Sequence, residues 1–217
     1  MDTVPYLFCD AVAGIVVKLG NPLSDLNSAN HPGFCLWKTA INNRVSNRQI
    51  FEVYIALEDG KWYYNIVYWS YKNPFVESLT LAKFRQFKRS QIRIQYVAIT
   101  SRFDLMLSSN SFTLSNRREV EQVIRYSAPF VNLSELRVYA YTELTDDDLS
   151  ALLSYFQRSA INAFFAGEYR ECLEQFLRGQ LQTDWLTVVH LLSEDGWSHE
   201  VKEEMRTIQL KKHLSNY

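Results

Sequence analysis

Three short segments in the last third of the chain repeat their apolar residues at a constant offset of 25 positions. The repeated residues are Leu136, Ile161 and Leu186, and then Val138, Ala163 and Val188. A regular period of this length is typical of stacked supersecondary units. Stacked units present long exposed surfaces rather than enclosed reaction chambers, so the spacing favours a binding function over catalysis.

Each repeat begins as a strand and continues as a helix. The strands are predicted at 136–141, 161–165 and 185–191, and Thr145 and Ser198 are predicted to cap the first and last helices. The buried helical stripes are predicted to be Leu149, Leu152, Leu153 and Phe156, then Cys172, Leu173, Phe176 and Leu177, and finally Val201, Met205 and Ile208. Because short crossovers are right-handed, the strands should pair in parallel, with the helices on one face.

The expected fold class is therefore α/β. A small helical segment over residues 1–48 is followed by an α/β domain over residues 49–217, which begins with a β-hairpin. The domain continues as a parallel sheet with helices on one face, and this part resembles a leucine-rich repeat. A plain open α/β sheet, in which the spacing arises by chance, is the alternative.

The hairpin is predicted from two β-rich runs, 51–57 and 62–69, joined at Asp59-Gly60. Glycine there permits the positive φ of a tight turn. Both alternating sets of the second run are apolar or aromatic. This run is either covered on both faces or keeps one face for a partner. The candidate recognition residues are Trp62, Tyr64, Tyr68 and Trp69.

The middle of the chain contains shorter elements. Helical spacing predicts a helix over 77–87, and alternation predicts strands at 92–96 and 111–114. Ser115 is predicted to cap the next helix, whose buried stripe contains Val120, Val123 and Ile124.

The first 45 residues carry a family pattern. Its parts are Val4-Pro5, an amphipathic set at Phe8, Val12, Ile15 and Leu19, a Leu23-Ser24-Asp25-Leu26 turn, and a segment from Phe34 to Trp37. This pattern resembles an F-box, and the whole chain resembles the nematode F-box-like proteins, whose later part has leucine-rich-like strands and helices.

The resemblance implies a role without chemistry on this chain. The F-box-like segment would dock on the adaptor subunit of a cullin–RING ubiquitin ligase, and the repeat region would hold a protein substrate. The residues that would make the adaptor contact are Pro5, Phe8, Val12, Ile15, Leu26 and Trp37.

Catalytic, cofactor and metal motifs are absent from the sequence. His31 and Cys35 stand four residues apart, but no second ligand pair completes a metal site. The sequence has no glycine-rich phosphate loop and no Gly-x-Ser-x-Gly elbow. We therefore expect neither an enzyme nor a bound cofactor.

The charge distribution suggests two ends with different partners. Residues 1–125 carry 15 Lys and Arg against 10 Asp and Glu, whereas residues 126–217 carry 8 against 14. The basic-aromatic segment 83–93 is the candidate for nucleic acid, with cations for phosphates and Phe84 and Phe87 for base stacking. The alternative is an amphipathic helix whose two rings face the core, and the short cluster favours that alternative and a protein partner.

Localisation is inferred from what the sequence lacks. Its three cysteines do not suggest a disulfide framework, and no apolar run reaches the roughly 20 residues that a membrane span needs. The first 19 residues have no basic start of the kind that secretory signals carry. We expect an intracellular protein, cytoplasmic or nuclear, and the sequence leaves its oligomeric state open.

Overall fold

The computed structural model of the chain describes residues 48–70, 73–101, 112–141, 143–183 and 186–215. Its elements in chain order are β1 (Gln49–Glu58), β2 (Lys61–Ser70), β3 (Asn73–Leu79), α1 (Leu81–Phe84), β4 (Ile92–Thr100), β5 (Thr113–Ser115), α2 (Arg117–Ser127), a 3-10 helix (Ala128–Phe130), β6 (Val131–Ala140), α3 (Asp146–Ser154), β7 (Ile161–Gly167), α4 (Glu171–Leu181), β8 (Leu186–Leu191) and α5 (His199–Ser215).

All eight strands belong to one sheet, in the order β3-β2-β1-β4-β6-β7-β8, with β5 paired to β2 beside β3. The strands β1, β4, β6, β7 and β8 are parallel, whereas β2, β3 and β5 run antiparallel to their neighbours. The fold is thus α/β with a mostly parallel sheet. The parallel pairing predicted for the three repeats is confirmed, and it extends through β4 to β1.

The turn between β1 and β2 has the predicted hairpin chemistry. Asp59 and Gly60 both have positive φ, at 52° and 69°, and Glu58 pairs with Lys61 across the turn. These dihedral angles fit a type I′ turn, whose twist matches that of the flanking strands. An added Cβ at Gly60 would meet nothing within 4 Å, so the backbone angle is what favours glycine there.

The register between β6 and β7 differs by two residues from the 25-residue spacing of the sequence repeat. Leu136 of β6 lies opposite Ala163 of β7 rather than Ile161, whereas Ile161 does lie opposite Leu186 of β8. Two residues are one full period of a strand, so Leu136, Ile161 and Leu186 still share the helix-covered face although the 25-residue spacing is not the register between β6 and β7.

Two bulges change which face a side chain occupies. In β8 the register shifts so that Val189, which is 2% exposed, lies opposite Ala163; the repeat had predicted Val188. In β4 an extra residue follows Ile94, and Tyr96 therefore points to the opposite face from Ile94. A bulge places two residues opposite one on the partner strand, which reverses the alternation beyond it.

Helix starts follow the predicted capping chemistry with one displacement. Thr145 caps α3 in a capping box with Asp148, and the Ser198 hydroxyl accepts from the Val201 backbone N–H at the start of α5. At α2 the cap is Asn116 rather than the predicted Ser115. The Ser115 hydroxyl instead donates to Glu119 Oε2 over 2.8 Å.

The predicted helix over 77–87 is wrong over most of its length. Glu77 and Leu79 pair with β2 as part of β3, and α1 covers only Leu81–Phe84. Pairing with the long strand β2 satisfies the backbone hydrogen bonds of residues 77–79, whereas a short isolated helix there would be only marginally stable. Thr80 then caps α1 by accepting from the Lys83 backbone N–H.

The five α-helices of the described residues bury their apolar side chains against one face of the sheet. One cluster joins alternate residues of the long strands to residues from every helix, including the stripes predicted for α2, α3 and α4 and the Val201 and Met205 positions of α5. The side chain of Ile208 lies outside the described set. A smaller cluster on the other face contains Tyr54, Val67 and Ala98, against which Tyr96 and Phe112 pack.

Candidate functional site

The face of the sheet away from the helices is buried over β1 and β2 and partly exposed over β6, β7 and β8. On β6, Glu135, Arg137 and Tyr139 are half-buried and alternate with fully buried residues that face the helices. The described helix side chains pack only on the opposite face. Parallel sheets are usually covered on both faces, so a face that no described helix covers is the unusual feature of the described part of the chain.

We call this surface the open face. Its residues on β6, β7 and β8 follow from the strand register and are Glu135, Arg137, Tyr139, Asn162, Phe164, Val188 and His190.

Arg137 lies at the centre of a cluster of rings and charges. Its guanidinium carbon is 5.0 Å from the ring centre of Tyr96 on β4 and 5.5 Å from that of Phe164 on β7. Its Nε donates to Glu135 Oε1 over 2.7 Å. This bond to a carboxylate, more than any other contact, raises the pKa of Arg137 above its usual value. The arginine is therefore a permanent cation paired with Glu135.

Two tyrosines extend this cluster toward the hairpin. The Tyr54 hydroxyl donates to Glu52 Oε2 over 2.6 Å, and its ring centre lies 5.4 Å from that of Tyr96. Burial first, and then the bond to Glu52, raise the pKa of Tyr54. Burial first, and then the neighbouring Tyr139, raise the pKa of Tyr96. Both phenols stay neutral at physiological pH and act as hydrogen-bonding groups.

Exposure increases across the sheet from β1 toward β8. Tyr54 is 9% exposed under Phe112, whereas the Arg137 and Glu135 side chains are 38% and 39% exposed. Further along, Val188 is half-buried and His190 is exposed. The open face therefore combines rings, an aliphatic side chain and a pre-paired arginine, a composition typical of protein interfaces.

The candidate residues predicted from the sequence are placed differently. Trp62, Tyr64 and Tyr68 belong to the helix-covered cluster, and Tyr64 is only 1% exposed. Trp69 is 43% exposed. These four residues thus do not share one surface. The residues predicted to contact a ligase adaptor, namely Pro5, Phe8, Val12, Ile15, Leu26 and Trp37, lie outside the described residues.

The rings of the basic-aromatic segment face inward. Phe84 is fully buried, and the ring centre of Phe87 lies 5.0 Å from that of Phe51 and 5.3 Å from that of Tyr68. The cations Lys83, Arg85, Lys88 and Arg89 are exposed. This arrangement matches the alternative in which the two rings face the core and the cations face solvent, although α1 itself is only a single turn.

The described part of the chain contains no group of three or more His, Cys, Asp or Glu placed to hold a metal ion. Among its helices, none combines the length and the apolar character that crossing a membrane requires. The buried Cys172 is a poor nucleophile, because burial, followed by the nearby Asp146 carboxylate, raises the pKa of its thiol to about 11.

The Arg137 cluster was missed at the level of sequence, although one signal for it was present. Strand β6 alternates apolar residues with Glu135, Arg137 and Tyr139. A parallel strand with large polar residues at every second position indicates a face left open to solvent. Comparison with family models, with curated proteins and with solved structures finds no match for this chain.

Proposed function

We propose that this chain is a non-catalytic adaptor that binds a protein partner on the open face. The observation that carries the proposal is that the described helices cover the parallel sheet on one side only, with Arg137 lying between two rings on the other. Arginine and aromatic side chains dominate the energetics of protein interfaces. Because Glu135 already fixes the guanidinium, little side-chain entropy is lost when a partner binds.

The leucine-rich-repeat-like character belongs to the same proposal. Strands and helices alternate from β6 to α5, and the strand residues paired between β6, β7 and β8 are separated by 25 to 27 positions. Units of this kind stack into a scaffold whose strand face is available to a partner. We infer that the open face is such a surface.

We further propose that residues 1–48 form an F-box-like segment that docks on the adaptor subunit of a cullin–RING ubiquitin ligase. Its support is the sequence pattern that includes Pro5, Phe8 and Ile15. The chain would then be a substrate-recognition subunit, with ligase and substrate contacts in different regions. An intracellular location in cytoplasm or nucleus follows from that role.

The nucleic-acid alternative is less favoured by the geometry. Base stacking requires exposed rings, and Phe84 and Phe87 pack inside the protein. Phosphate contacts from the exposed cations would remain, and these carry no preference for a base.

Affinity purification with two separated variants tests the adaptor proposal. Phe8→Asp/Ile15→Asp should lose the ligase subunit and keep the substrate protein, because it places charge on the apolar docking helix. Arg137→Ala/Phe164→Ala should lose the substrate protein and keep the ligase subunit. Mass spectrometry of the captured proteins gives both readouts.

A matched control removes one exposed cation and one exposed apolar side chain elsewhere. Arg118→Ala/Leu114→Ala fits this purpose, since Leu114 is 62% exposed on β5, near the far edge of the sheet. This variant should keep both partners. If the unaltered chain captures no ligase subunit, the ubiquitin role is wrong. If Arg137→Ala/Phe164→Ala keeps every partner, the open face is not the binding surface.

A further inference from the structure

A second set of arginines rests on aromatic rings at the opposite side of the molecule from the open face. Arg85 lies 5.7 Å from the ring centre of Tyr126, and Arg89 lies 5.8 Å from the same ring and 5.5 Å from that of Phe130. Tyr126 and Phe130 pack against the helix-covered core. We call Arg85, Lys88 and Arg89 the cationic patch.

The rings under the patch are fixed by the core. Tyr126 meets Phe84 edge-on with ring centres 5.2 Å apart, and it meets Phe130 in the same way at 5.6 Å. Phe84 is fully buried. The backbone of the patch is also held, because Gln91 N–H donates to the Lys88 carbonyl over 2.8 Å. The arginines therefore sit on a rigid base, which reduces the entropy lost when a ligand binds.

No carboxylate neutralises the patch within the part of the chain that the structure describes. Residues 80–103 contain no Asp or Glu. The described ion pairs use other cations, namely Lys83, Arg117, Arg137, Arg170, Arg178 and Arg206. A guanidinium that lies over a ring and has no carboxylate partner retains N–H donors that can bind an oxyanion in bidentate fashion.

The surroundings add positive charge rather than remove it. Arg125 is exposed one residue before Tyr126 on α2. At the start of the neighbouring strands, burial first, and then the positive charge of Arg93, lower the pKa of Arg48 to about 10. A surface with several cations of one sign attracts anionic partners and accelerates their association.

We propose that the cationic patch binds an acidic segment of a protein partner, a run of Asp and Glu side chains. The carboxylates would pair with the N–H edges of Arg85 and Arg89, and Lys88 would add a third contact. A nucleic acid fits less well, since Phe84 and Phe87 are packed inside and the exposed side of Tyr126 is shared with two guanidinium groups.

Fluorescence anisotropy on the full chain tests this inference with three labelled probes. The first is a peptide of alternating Asp and Glu, the second replaces these residues by Asn and Gln, and the third is a single-stranded oligothymidylate of equal charge. We expect the acidic peptide to bind most tightly, with an affinity that falls as salt is added. Tighter binding of the oligothymidylate, or equal binding of the two peptides, would overturn the proposal.

Variants locate the binding. Arg85→Gln/Arg89→Gln should weaken acidic-peptide binding at least about tenfold, and Arg85→Lys/Arg89→Lys should fall between, because lysine keeps the charge and loses the bidentate geometry. The control Lys61→Gln/Arg118→Gln removes the same charge at exposed positions outside the patch and should bind as the unaltered chain does. Equal losses in both double variants would show attraction by net charge alone and refute the site.

Lys88→Gln gives a second route if the arginine variants lose their fold, which circular dichroism would reveal. Lys88 is exposed and contacts no ring among the described residues, so its substitution should leave their packing intact. We expect a several-fold loss of acidic-peptide affinity, and an unchanged affinity would contradict the proposal. The outcome is independent of the adaptor function, since none of the altered residues lies on the open face.

Discussion

Arginines lie over aromatic rings in two regions of this molecule, and the regions differ in one partner. On the open face, Arg137 lies over Phe164 and donates to Glu135 over 2.7 Å. In the cationic patch, Arg89 lies over Phe130, and none of the described carboxylates pairs with it. The same cation–ring contact therefore occurs once with a neutralising group and once without.

The presence or absence of a paired carboxylate suits arginine to two different kinds of binding surface. A paired guanidinium presents little net charge and behaves as a flat, polar platform that an apolar or mixed partner can cover. An unpaired guanidinium retains its field and its donors, so burying it requires an anion. The open face suits a shape-complementary protein surface, whereas the patch suits a carboxylate-rich segment.

The ring that supports the cationic patch is buried more deeply than the ring on the open face. Removing each ring should therefore change the free energy of unfolding by different amounts, and this is the largest effect that we expect. Phe84→Ala should lower the free energy of unfolding by about 3–5 kcal/mol, because a fully buried ring leaves a cavity in the core. Phe164→Ala should cost about 1 kcal/mol, since that ring is half-buried on the open face. Urea denaturation of both variants measures the difference.

Equal costs would contradict this contrast, because they would mean that the open-face ring is as deeply supported as the core ring. The tyrosine variant Phe84→Tyr serves as a control for ring loss. It keeps the ring but places a hydroxyl in the apolar interior, so its cost should come from the buried polar group and should be smaller than that of the cavity.

A third arginine shows what pairing contributes when the carboxylate is buried. Glu174 is 7% exposed; it accepts from Arg178 over 3.0 Å and from the Ser198 backbone N–H over 3.0 Å, which joins α4 to the start of α5. Burial alone would raise the pKa of Glu174, but the bonds from Ser198 and Arg178 outweigh it, and the pKa lies below its usual 4.5. The folded state therefore favours the ionised carboxylate.

Glu174→Gln should lower the free energy of unfolding at neutral pH by about 1–3 kcal/mol, because charged hydrogen bonds are lost. Since the folded pKa lies below the unfolded one, the contribution is present above pH 4.5 and is lost as the pH falls through the folded pKa. Denaturation from pH 7 to pH 3 should show the two proteins converging. Glu200→Gln, at an exposed partner of Arg178, is the control and should cost under about 0.5 kcal/mol. A difference that persists unchanged at pH 3 would contradict the assignment.

Local chemistry explains which parts of the fold the sequence could predict. Asp59-Gly60, the Thr145 cap and the apolar stripes depend on residues close in the chain, and each was found in its predicted role. The strand over 77–79 depends on pairing with β2, which helical spacing could not show. The 25-residue spacing likewise left the pairing of Leu136 with Ala163 open, since register is set by the neighbouring strand.

The candidate site was less predictable because it depends on a bulge. In the sequence, Ile94 and Tyr96 are two apart and would share a face. The extra residue between them in the sheet turns Tyr96 to the open side, where it meets Arg137, a residue 41 positions later. A periodic pattern contains no mark of that bulge. Likewise, the aromatic run from Trp62 to Trp69 left open whether both of its faces are covered, and only the structure shows that Tyr64 is buried.

The smallest expected effect bears most directly on the contrast between the two regions. Glu135→Gln should change the free energy of unfolding by less than about 1 kcal/mol, since both members of its pair are more than a third exposed. It should also free the donors of Arg137, making the open face resemble the cationic patch. In the Arg85→Gln/Arg89→Gln background, where the patch no longer contributes, this change should raise acidic-peptide affinity several-fold in the anisotropy assay.

Glu121→Gln removes the same charge from α2 and is the appropriate control, because Arg117 keeps its second ion pair with Asp148 at 3.1 Å. This variant should leave acidic-peptide affinity unchanged in the same background. If Glu135→Gln gains no more than the control, a carboxylate neighbour is not what separates the two arginine regions. The distinction would then lie in the depth of the supporting rings, because Tyr126 rests on the fully buried Phe84 whereas Phe164 is itself half-buried.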